Sequence, residues 1–243
     1  MDTLLLNGII STLAAMVAPG VTTKYLDEQA ERLCGILGVK PAFKGYKPEG
    51  FGKPEGYPNT LCVSINDEVI HGIPSDRKIE EGDVVKLDMG IEQDGQFDDG
   101  ATTVLVGDLD PKTGHLLGTS AIARKLVKAT KEALEAGVVQ AKAGNTTHDI
   151  AAAVEAVAKK YDLHVVHGYG GHGIGTALHM EPHVPNEIAG ATPPVKLEKG
   201  MRIAIEPMFG TNHGFTQVAK DGWTVKLRNG GLAAHFEQTV TIE

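Results

Sequence analysis

Apolar residues recur at helical spacing in four segments of the chain. An apolar residue at every third or fourth position indicates a helix with one buried face. The segments cover about 3–18, 23–38, 117–136 and 147–161. A threonine at 22 or 23 and another at 146 or 147 are suited to cap the second and fourth helices. The first segment ends at Pro19 and Gly20, too soon to span a membrane, so we interpret it as a buried amphipathic helix.

Runs rich in Val, Ile and Thr predict strands in much of the remaining sequence. These runs lie at about 61–66, 83–93, 96–106, 163–167, 202–207, 215–219, 223–227 and 235–242. Because the strands come in runs rather than in strict alternation with helices, the order favours an α+β fold over a doubly wound parallel sheet.

Two strings recur in the same order in the two halves of the chain. APGVTTKYLDE (18–28) resembles KAGNTTHDIAA (142–152), and IEEGDVVKLD (79–88) resembles LEKGMRIAIE (197–206). Chance likeness is the alternative for either match alone, but two matches in order favour duplication. We therefore predict a single domain over 1–243, with a site where its two related halves meet. The halves cover about 1–110 and 111–243.

Residues 83–106 are typical of a β-hairpin with an Asp-Gly turn. In that register Asp88 faces Ala101, and Asp99 lies diagonally across from Asp88 on the same face, about 7–8 Å away. Asp98 falls on the opposite face. Two carboxylates at this spacing can share metal ions, and the alternative is a pair of solvated surface aspartates.

Glu206 and Glu237 each stand in an otherwise apolar strand. Buried carboxylates are rare unless they are paired or bind a cation. The formal charge of −8 argues against a general nucleic-acid-binding surface. Two divalent cations would balance the charge of four carboxylates. A set of oxygen ligands with one imidazole suits Mn, Co or Fe, whereas a structural zinc site prefers sulfur and nitrogen ligands.

The stretch GHGIGTALHMEP (171–182) carries His172 and His179 among glycines that argue against a helix. It lacks the HExxH spacing of helical zinc sites. The overlapping GYGGHG matches a dinucleotide-binding pattern, but prolines follow where the helix of such a site should begin. His71, at the end of a strand, is a third candidate. Each histidine taken alone is more often structural than catalytic.

Two further features bear on the surroundings of a site. Residues 44–59 form a loop rich in Gly, Pro and Lys, which either rims a site or is a surface insertion. Cys34 and Cys62 do not make a disulfide framework, so we expect a protein of the reducing cytoplasm.

Five motifs, in order, resemble the type I methionine aminopeptidases: SINDEVIHGIP, VVKLDMGIEQDGQFDD, GHGIGTALHMEP, IAIEPM and AAHFEQTVTI. The resemblance runs from about Val17 to the end of the chain. It implies the pita-bread fold, two pseudo-symmetric α+β halves around a dimetal centre. Leu178, where an aromatic residue is more usual, and the longer loop at 47–56 depart from the family beside the side-chain pocket.

The resemblance also implies a role for ten residues. The implied metal ligands are Asp88, Asp99, His172, Glu206 and Glu237. The implied substrate contacts are His71, His179, Tyr57, Cys62 and Trp223. The implied catalytic residues are His71, His179 and Glu206.

The implied activity is removal of the N-terminal methionine from nascent proteins and peptides, with a preference for a small second residue. A water activated by two divalent ions (Co, Mn, Fe or Zn) would attack the first peptide bond, and Glu206 would act as general acid–base. We expect a cytoplasmic monomer that meets nascent N-termini, with transient ribosome contact and no DNA or membrane partner.

Two other functions remain open. The first is an X-Pro-cleaving peptidase of the same fold, although those enzymes usually carry an extra N-terminal domain that this sequence lacks. The second is a metal-free peptide-binding module. Retention of all five ligand types argues against the second.

Overall fold

The computed structural model describes residues 4–48, 50, 52–107 and 118–243. Three predicted boundaries lie outside these residues: the start of the first helix at 3, the start of the third at 117, and the division between the halves near 110. The described residues form helices together with antiparallel sheets, which confirms the α+β class.

Four helices are present among the described residues: α1 (Leu4–Ala15), α2 (Thr23–Leu37), α3 (Ala121–Gln140) and α4 (Thr147–Lys160). The Thr22 hydroxyl accepts a hydrogen bond from the Tyr25 N–H, and Thr146 forms a capping box with Asp149, so both predicted caps are confirmed. Helix α3 runs four residues past its predicted end at 136. Its last turns stay packed, because Gly137 lets the helix approach the Ile205 side chain closely.

The strands are β1 (Lys40–Pro41), β2 (Cys62–Ile65), β3 (Glu68–Ile70), β4 (Val84–Gln93), β5 (Gln96–Leu105), β6 (His164–Val165), β7 (Gly170–Gly173), β8 (Met180–Pro185), β9 (Arg202–Ile205), β10 (Met208–Gly210), β11 (Thr216–Val218), β12 (Val225–Leu227), β13 (Ala233–His235) and β14 (Glu237–Thr241). The predicted runs missed β1, β7, β8 and β10, reached only the last residue of β13, and gave β3 only as the strand that ends before His71. These strands are short, rich in glycine or interrupted by proline, so they lack a clear run of β-forming residues.

One antiparallel sheet organises the molecule, in the order β1-β4-β5-β14-β9-β7-β8, with β2 also paired to β4. Leu87 and Met89 of β4 point into a core shared with α1 and α2. Ile203 and Ile205 of β9 point into a core with residues of α3 and α4. Since side chains alternate along a strand, Asp88 points to the other face of the sheet. Among the described helices, none is both long and apolar enough to cross a membrane.

The hairpin of β4 and β5 has the predicted register. Gln93 pairs with Gln96, Asp88 pairs with Ala101, and no bulge interrupts the ladder. The two turn residues have φ of +54° and +74°, as a two-residue hairpin turn requires.

The two halves repeat the same local contacts, as expected for two pseudo-symmetric halves. Thr22 bridges Lys78 just ahead of the first repeat glycine, and Thr146 bridges Lys196 just ahead of the second. The two repeat glycines, at 82 and 200, have φ of +89° and +90°. In each half, the residue just before a helix therefore pairs with the segment that leads into a later strand, and the two pairings have equivalent geometry.

Asp27, on α2, holds the segment that leads into β2. Its carboxylate accepts hydrogen bonds of 2.9 Å from the N–H groups of Thr60 and Leu61, and Asn59 donates a third. Thr60 and Leu61 are fully buried, so without Asp27 their N–H groups would lose their partner.

We expect Asp27→Ala to lower the free energy of unfolding by about 3 kcal/mol, because buried donors left unpaired are costly. The melting temperature should fall by roughly 6–12 °C in thermal denaturation followed by circular dichroism. Asp27→Asn, which keeps an acceptor oxygen, should lose clearly less. Equal melting of Asp27→Ala and the wild type would show that these bonds do not hold the segment.

Candidate metal centre and substrate cleft

Five adjacent strands each bring one metal-binding side chain to the same face of the main sheet. Following the sheet order, Asp88 lies on β4, Asp99 on β5, Glu237 on β14, Glu206 directly after β9, and His172 on β7. Ala101 pairs with Asp88 on one side and with Glu237 on the other, so its methyl group leaves space between the two carboxylates. The five implied ligands are therefore brought together.

The distances within this cluster are those of groups that can share cations. Ligand atoms of Asp88, Asp99 and Glu237 lie within 4.8 Å of one another, and so do those of His172, Glu206 and Glu237. His172 Nε2 lies 3.9 Å from Asp99 Oδ2 and 3.7 Å from Glu206 Oε1. Glu237 belongs to both groups, as a ligand shared between two cations would.

The carboxylates are buried, and this shifts their pKa values upward. Burial raises the pKa of Asp88 to about 7. Burial, followed by repulsion from Asp88, raises the pKa of Asp99 well above its ordinary value. Burial and then Asp99 do the same for Glu206 and Glu237. Two like charges about 4 Å apart repel by about 4 kcal/mol at an effective dielectric near 20, so the cluster requires either protons or cations.

The donor set fits divalent metal ions. Asp88 Oδ1 is buried and has no hydrogen-bond partner among the described residues. Within those residues, no Lys or Arg forms an ion pair with any of the four carboxylates. An orphaned oxygen in an uncompensated acidic cluster is the arrangement that a bound cation satisfies.

The ring of His172 is oriented for metal binding. Its Nδ1 lies 2.9 Å from the Gly173 carbonyl oxygen, which can only accept a hydrogen bond. Nδ1 must therefore carry the proton, and Nε2 presents its lone pair to Asp99 and Glu206. A backbone carbonyl behind a histidine is a common way of fixing a metal ligand.

Asp98 does not join the cluster. It is fully buried on the opposite face, where its carboxylate pairs with Arg202 Nη2 at 3.1 Å. The hairpin argument that favoured Asp99 over Asp98 agrees with this arrangement.

A cleft of about 510 Å³, counting its open mouth, leads from the cluster to an apolar pocket. It is lined by Phe43, Tyr46, Pro48, Tyr57, Cys62, His71, Asp88, Asp99, His172, His179, Glu206, Trp223 and Glu237. All ten residues singled out by the resemblance are among them. In the pocket, the Tyr57 ring stands edge-on to Trp223, with centroids 5.3 Å apart.

The structure places both non-ligand histidines at the cleft. His71 directly follows β3 and has a φ of +58°, a left-handed conformation that is strained for a residue with a side chain. Burial lowers its pKa to about 4, so its ring is neutral near pH 7. His179 lies at the mouth, with its ring centroid 4.2 Å from that of His172.

Sequence reasoning missed three lining residues and one residue behind the cluster. Phe43 packs edge-on to Tyr57 and supplies an aromatic ring to the pocket, whereas Leu178 is buried nearby and does not line it. Tyr46 and Pro48 come from the loop at 44–59, which therefore rims the site. No periodicity marks such loop residues, and only the loop's unusual length hinted at them.

His235 lies behind the glutamates. It is almost fully buried, and its Nε2 is 3.8 Å from Glu206 Oε2 and 3.9 Å from Glu237 Oε2. The signal was present in the sequence: His235 stands two residues before Glu237, where strand alternation brings both side chains toward one face.

Comparison with known proteins agrees with this geometry. The model of metallopeptidase family M24 matches residues 5–243. A methionine aminopeptidase of Aquifex aeolicus is 44% identical over 237 residues, covering 96% of this chain and 87% of the relative. The crystal structure of a methionine aminopeptidase from Thermotoga maritima superimposes with a TM-score of 0.87 at 33% identity, covering 98% of this chain and 88% of that one.

More distant structures share the fold. A prolidase from Pyrococcus furiosus superimposes with a TM-score of 0.71 at 21% identity, and this chain spans 58% of its length. At that identity the likeness concerns the fold alone.

Proposed function

The chain belongs to metallopeptidase family M24, and we propose that it is the aminopeptidase that removes an N-terminal methionine from peptides and nascent proteins. The observation that carries this proposal is the five-residue acidic cluster, open on one side to an apolar pocket. A cluster that binds cations beside a pocket for one unbranched side chain suits an enzyme that acts on the first residue of a peptide.

We propose that Asp88, Asp99, His172, Glu206 and Glu237 hold two divalent ions. The Asp88–Asp99–Glu237 group and the His172–Glu206–Glu237 group support two positions that share Glu237. Bound ions of this kind lower the pKa of a water molecule and polarise a carbonyl group. Co, Mn, Fe and Zn are the candidates.

The side chains around the cluster divide the remaining work. Glu206, whose carboxylate lies among the proposed metal ligands at the cleft, would take a proton from the attacking water and pass it to the leaving amine. His179, at the mouth, would donate a hydrogen bond to the carbonyl oxygen of the scissile peptide. His71 would contact the substrate near the scissile amide. The closed cleft favours a small second residue.

The apolar pocket would select methionine. Tyr57, Cys62 and Trp223 form a buried cluster, and the Tyr57 hydroxyl donates to the Gly72 carbonyl oxygen at 2.9 Å, which fixes its ring. Flexible, unbranched methionine fills such an irregular apolar space well.

We expect Trp223→Ala to reduce the preference for methionine over phenylalanine at position one by about tenfold or more, because the pocket wall is removed. Measuring kcat/KM on Met-Ala-Ser and Phe-Ala-Ser checks this. Metal binding by the variant should match the wild type, since Trp223 is not among the proposed ligands. An unchanged preference would place the selecting pocket elsewhere.

The activity is tested by methionine release from Met-Ala-Ser with added Mn or Co, and again with a chelator. A peptide with an X-Pro bond runs alongside, because prolidases share this fold. Metal-dependent release from Met-Ala-Ser alone supports the proposal. Release only from the X-Pro peptide would be consistent with the proposed metal centre but would show a different substrate. No release by folded protein would favour the peptide-binding alternative.

We further propose that the two halves, about 1–110 and 111–243, form a single domain that acts as a cytoplasmic monomer on nascent N-termini, with transient ribosome contact. Cys34 and Cys62 are free and buried, which suits a reducing compartment. Size-exclusion chromatography with light scattering checks the monomer, and co-sedimentation with ribosomes checks the contact.

A further inference from the structure

The two histidines of the glycine-rich stretch have different partners at Nδ1. His172 Nδ1 faces a carbonyl oxygen, whereas His179 Nδ1 lies 2.7 Å from the hydroxyl of Tyr46. A carbonyl oxygen can only accept a hydrogen bond, but a phenol can donate one. The ring partners therefore allow the two histidines to carry their protons on different nitrogens.

Geometry alone would admit His179 as a metal ligand. A ring nitrogen of His179 lies within 4.8 Å of ligand atoms of both Asp99 and His172. Because Nδ1 is hydrogen-bonded to the Tyr46 hydroxyl, Nε2 is the nitrogen that can interact with groups in the cleft. A lone pair there would bind a cation, whereas an N–H there could only donate a hydrogen bond. The proton on His179 decides which of these two roles it has.

The Tyr46 hydroxyl favours the proton on Nε2. A phenol keeps its proton near neutral pH, and burial followed by the charge of Asp99 raises the pKa of Tyr46 further. Tyr46 is thus able to donate, and the imidazole Nδ1 is a good acceptor.

Tyr46 is held firmly enough to impose this choice. The Tyr57 N–H donates to the Tyr46 carbonyl at 2.9 Å, and the Gly45 N–H donates to the Tyr57 carbonyl at 2.7 Å. The ring of Tyr46 lies against His179, with centroids 5.1 Å apart. Tyr46 is therefore anchored to the same backbone that carries the pocket residue Tyr57.

We propose that Tyr46 is a positioning residue that donates its hydroxyl proton to His179 Nδ1, so that His179 presents an N–H at Nε2 to the substrate carbonyl and does not bind metal. This role rests on the proposed function for its substrate. The hydrogen bond from Tyr46 to His179 would give a residue of the long loop at 44–59 an effect on catalysis. It also separates His179 from His172, which lies seven residues earlier in the same stretch.

The position of the proton is measured directly by NMR of the metal-free protein labelled with ¹⁵N-histidine. His179→Gln identifies the His179 signals. We expect a protonated Nε2 and an unprotonated Nδ1 in the wild type, and a mixture of both tautomers in Tyr46→Phe. A proton on Nδ1 in the wild type would overturn the proposal, as would an unchanged His179 tautomer in Tyr46→Phe.

Kinetics then test whether Tyr46 acts through His179. With metal bound, Tyr46→Phe should lower kcat for Met-Ala-Ser by about tenfold, with KM little changed. In the His179→Gln background the same change should have no further effect, because contacting residues that act as a unit are not additive. Tyr25→Phe, at an exposed tyrosine on α2, is the matched control and should match the wild type.

If the kcat of the double variant falls by the product of the factors lost in the two single variants, Tyr46 does not act through His179. If the wild type releases no methionine, the proposed activity fails, while the NMR result still decides the tautomer. The two failures are therefore distinguishable.

Discussion

Glu206→Gln should lower kcat for methionine release by about a thousandfold, the range expected when a general acid–base is lost. Glutamine keeps the shape of the side chain and one oxygen for a metal ion, but it cannot accept and return a proton. Glu206 suits both metal binding and proton transfer, because its carboxylate belongs to the ligand group with His172 and Glu237 and lines the cleft.

The stability of the same variant distinguishes lost chemistry from lost structure. In the metal-free protein, burial and the neighbouring carboxylates favour the neutral form of Glu206, which glutamine imitates, so chelator-treated Glu206→Gln should melt no lower than the chelator-treated wild type. Glu135→Gln, at an exposed position on α3, is the matched control and should keep full activity. Full turnover by metal-loaded Glu206→Gln would remove Glu206 from its proposed role.

The rise in melting temperature produced by Mn should grow between pH 6 and pH 8. In the metal-free protein the carboxylate pKa values are raised, that of Asp88 to about 7. A group whose folded pKa is raised contributes stability that is complete below its unfolded pKa and is lost as pH rises through the folded value. For Asp88 this contribution is on the order of 4 kcal/mol in total, is lost progressively as pH rises from about 4 to about 7, and falls by roughly 1 kcal/mol between pH 6 and pH 8.

Metal ions replace those protons, so the loaded protein should not lose this stability. The Mn-induced rise should therefore be larger at pH 8 than at pH 6, by roughly 2–4 °C from Asp88 alone in thermal denaturation. Lys86, whose pKa burial lowers to about 7, has the opposite pH dependence. Its contribution is common to both forms and cancels in the difference between them. A rise that shrinks with increasing pH would mean that the cluster binds Mn without releasing protons.

The hairpin shows how much of the site a sequence can specify. The Asp-Gly turn fixed the register, the register put Asp88 and Asp99 on one face, and alternation excluded Asp98. These inferences needed only local rules. The repeat likewise predicted equivalent helix starts, and Thr22 and Thr146 both cap helices.

The rest of the site depends on long-range pairing that local patterns do not encode. Strands β7 and β14 meet β9 from opposite sides, so His172 and Glu237 approach each other although 65 residues separate them. Their placement came from the family resemblance. Tyr46 and His235 were missed because their roles depend on contacts with His179 and with the glutamates, which only the folded chain reveals.

The most direct test of the metal centre is the amount of Mn bound per chain at equilibrium dialysis. The wild type should bind two Mn ions per chain. Asp99→Asn should lose at least one of them, because Asp99 belongs to the ligand group with Asp88 and Glu237, and its Oδ2 lies 3.9 Å from His172 Nε2 of the other group. Asp94→Asn, in the exposed hairpin turn, should bind as the wild type does. Equal binding by wild type and Asp99→Asn, or no binding by the folded wild type, would contradict the proposed centre.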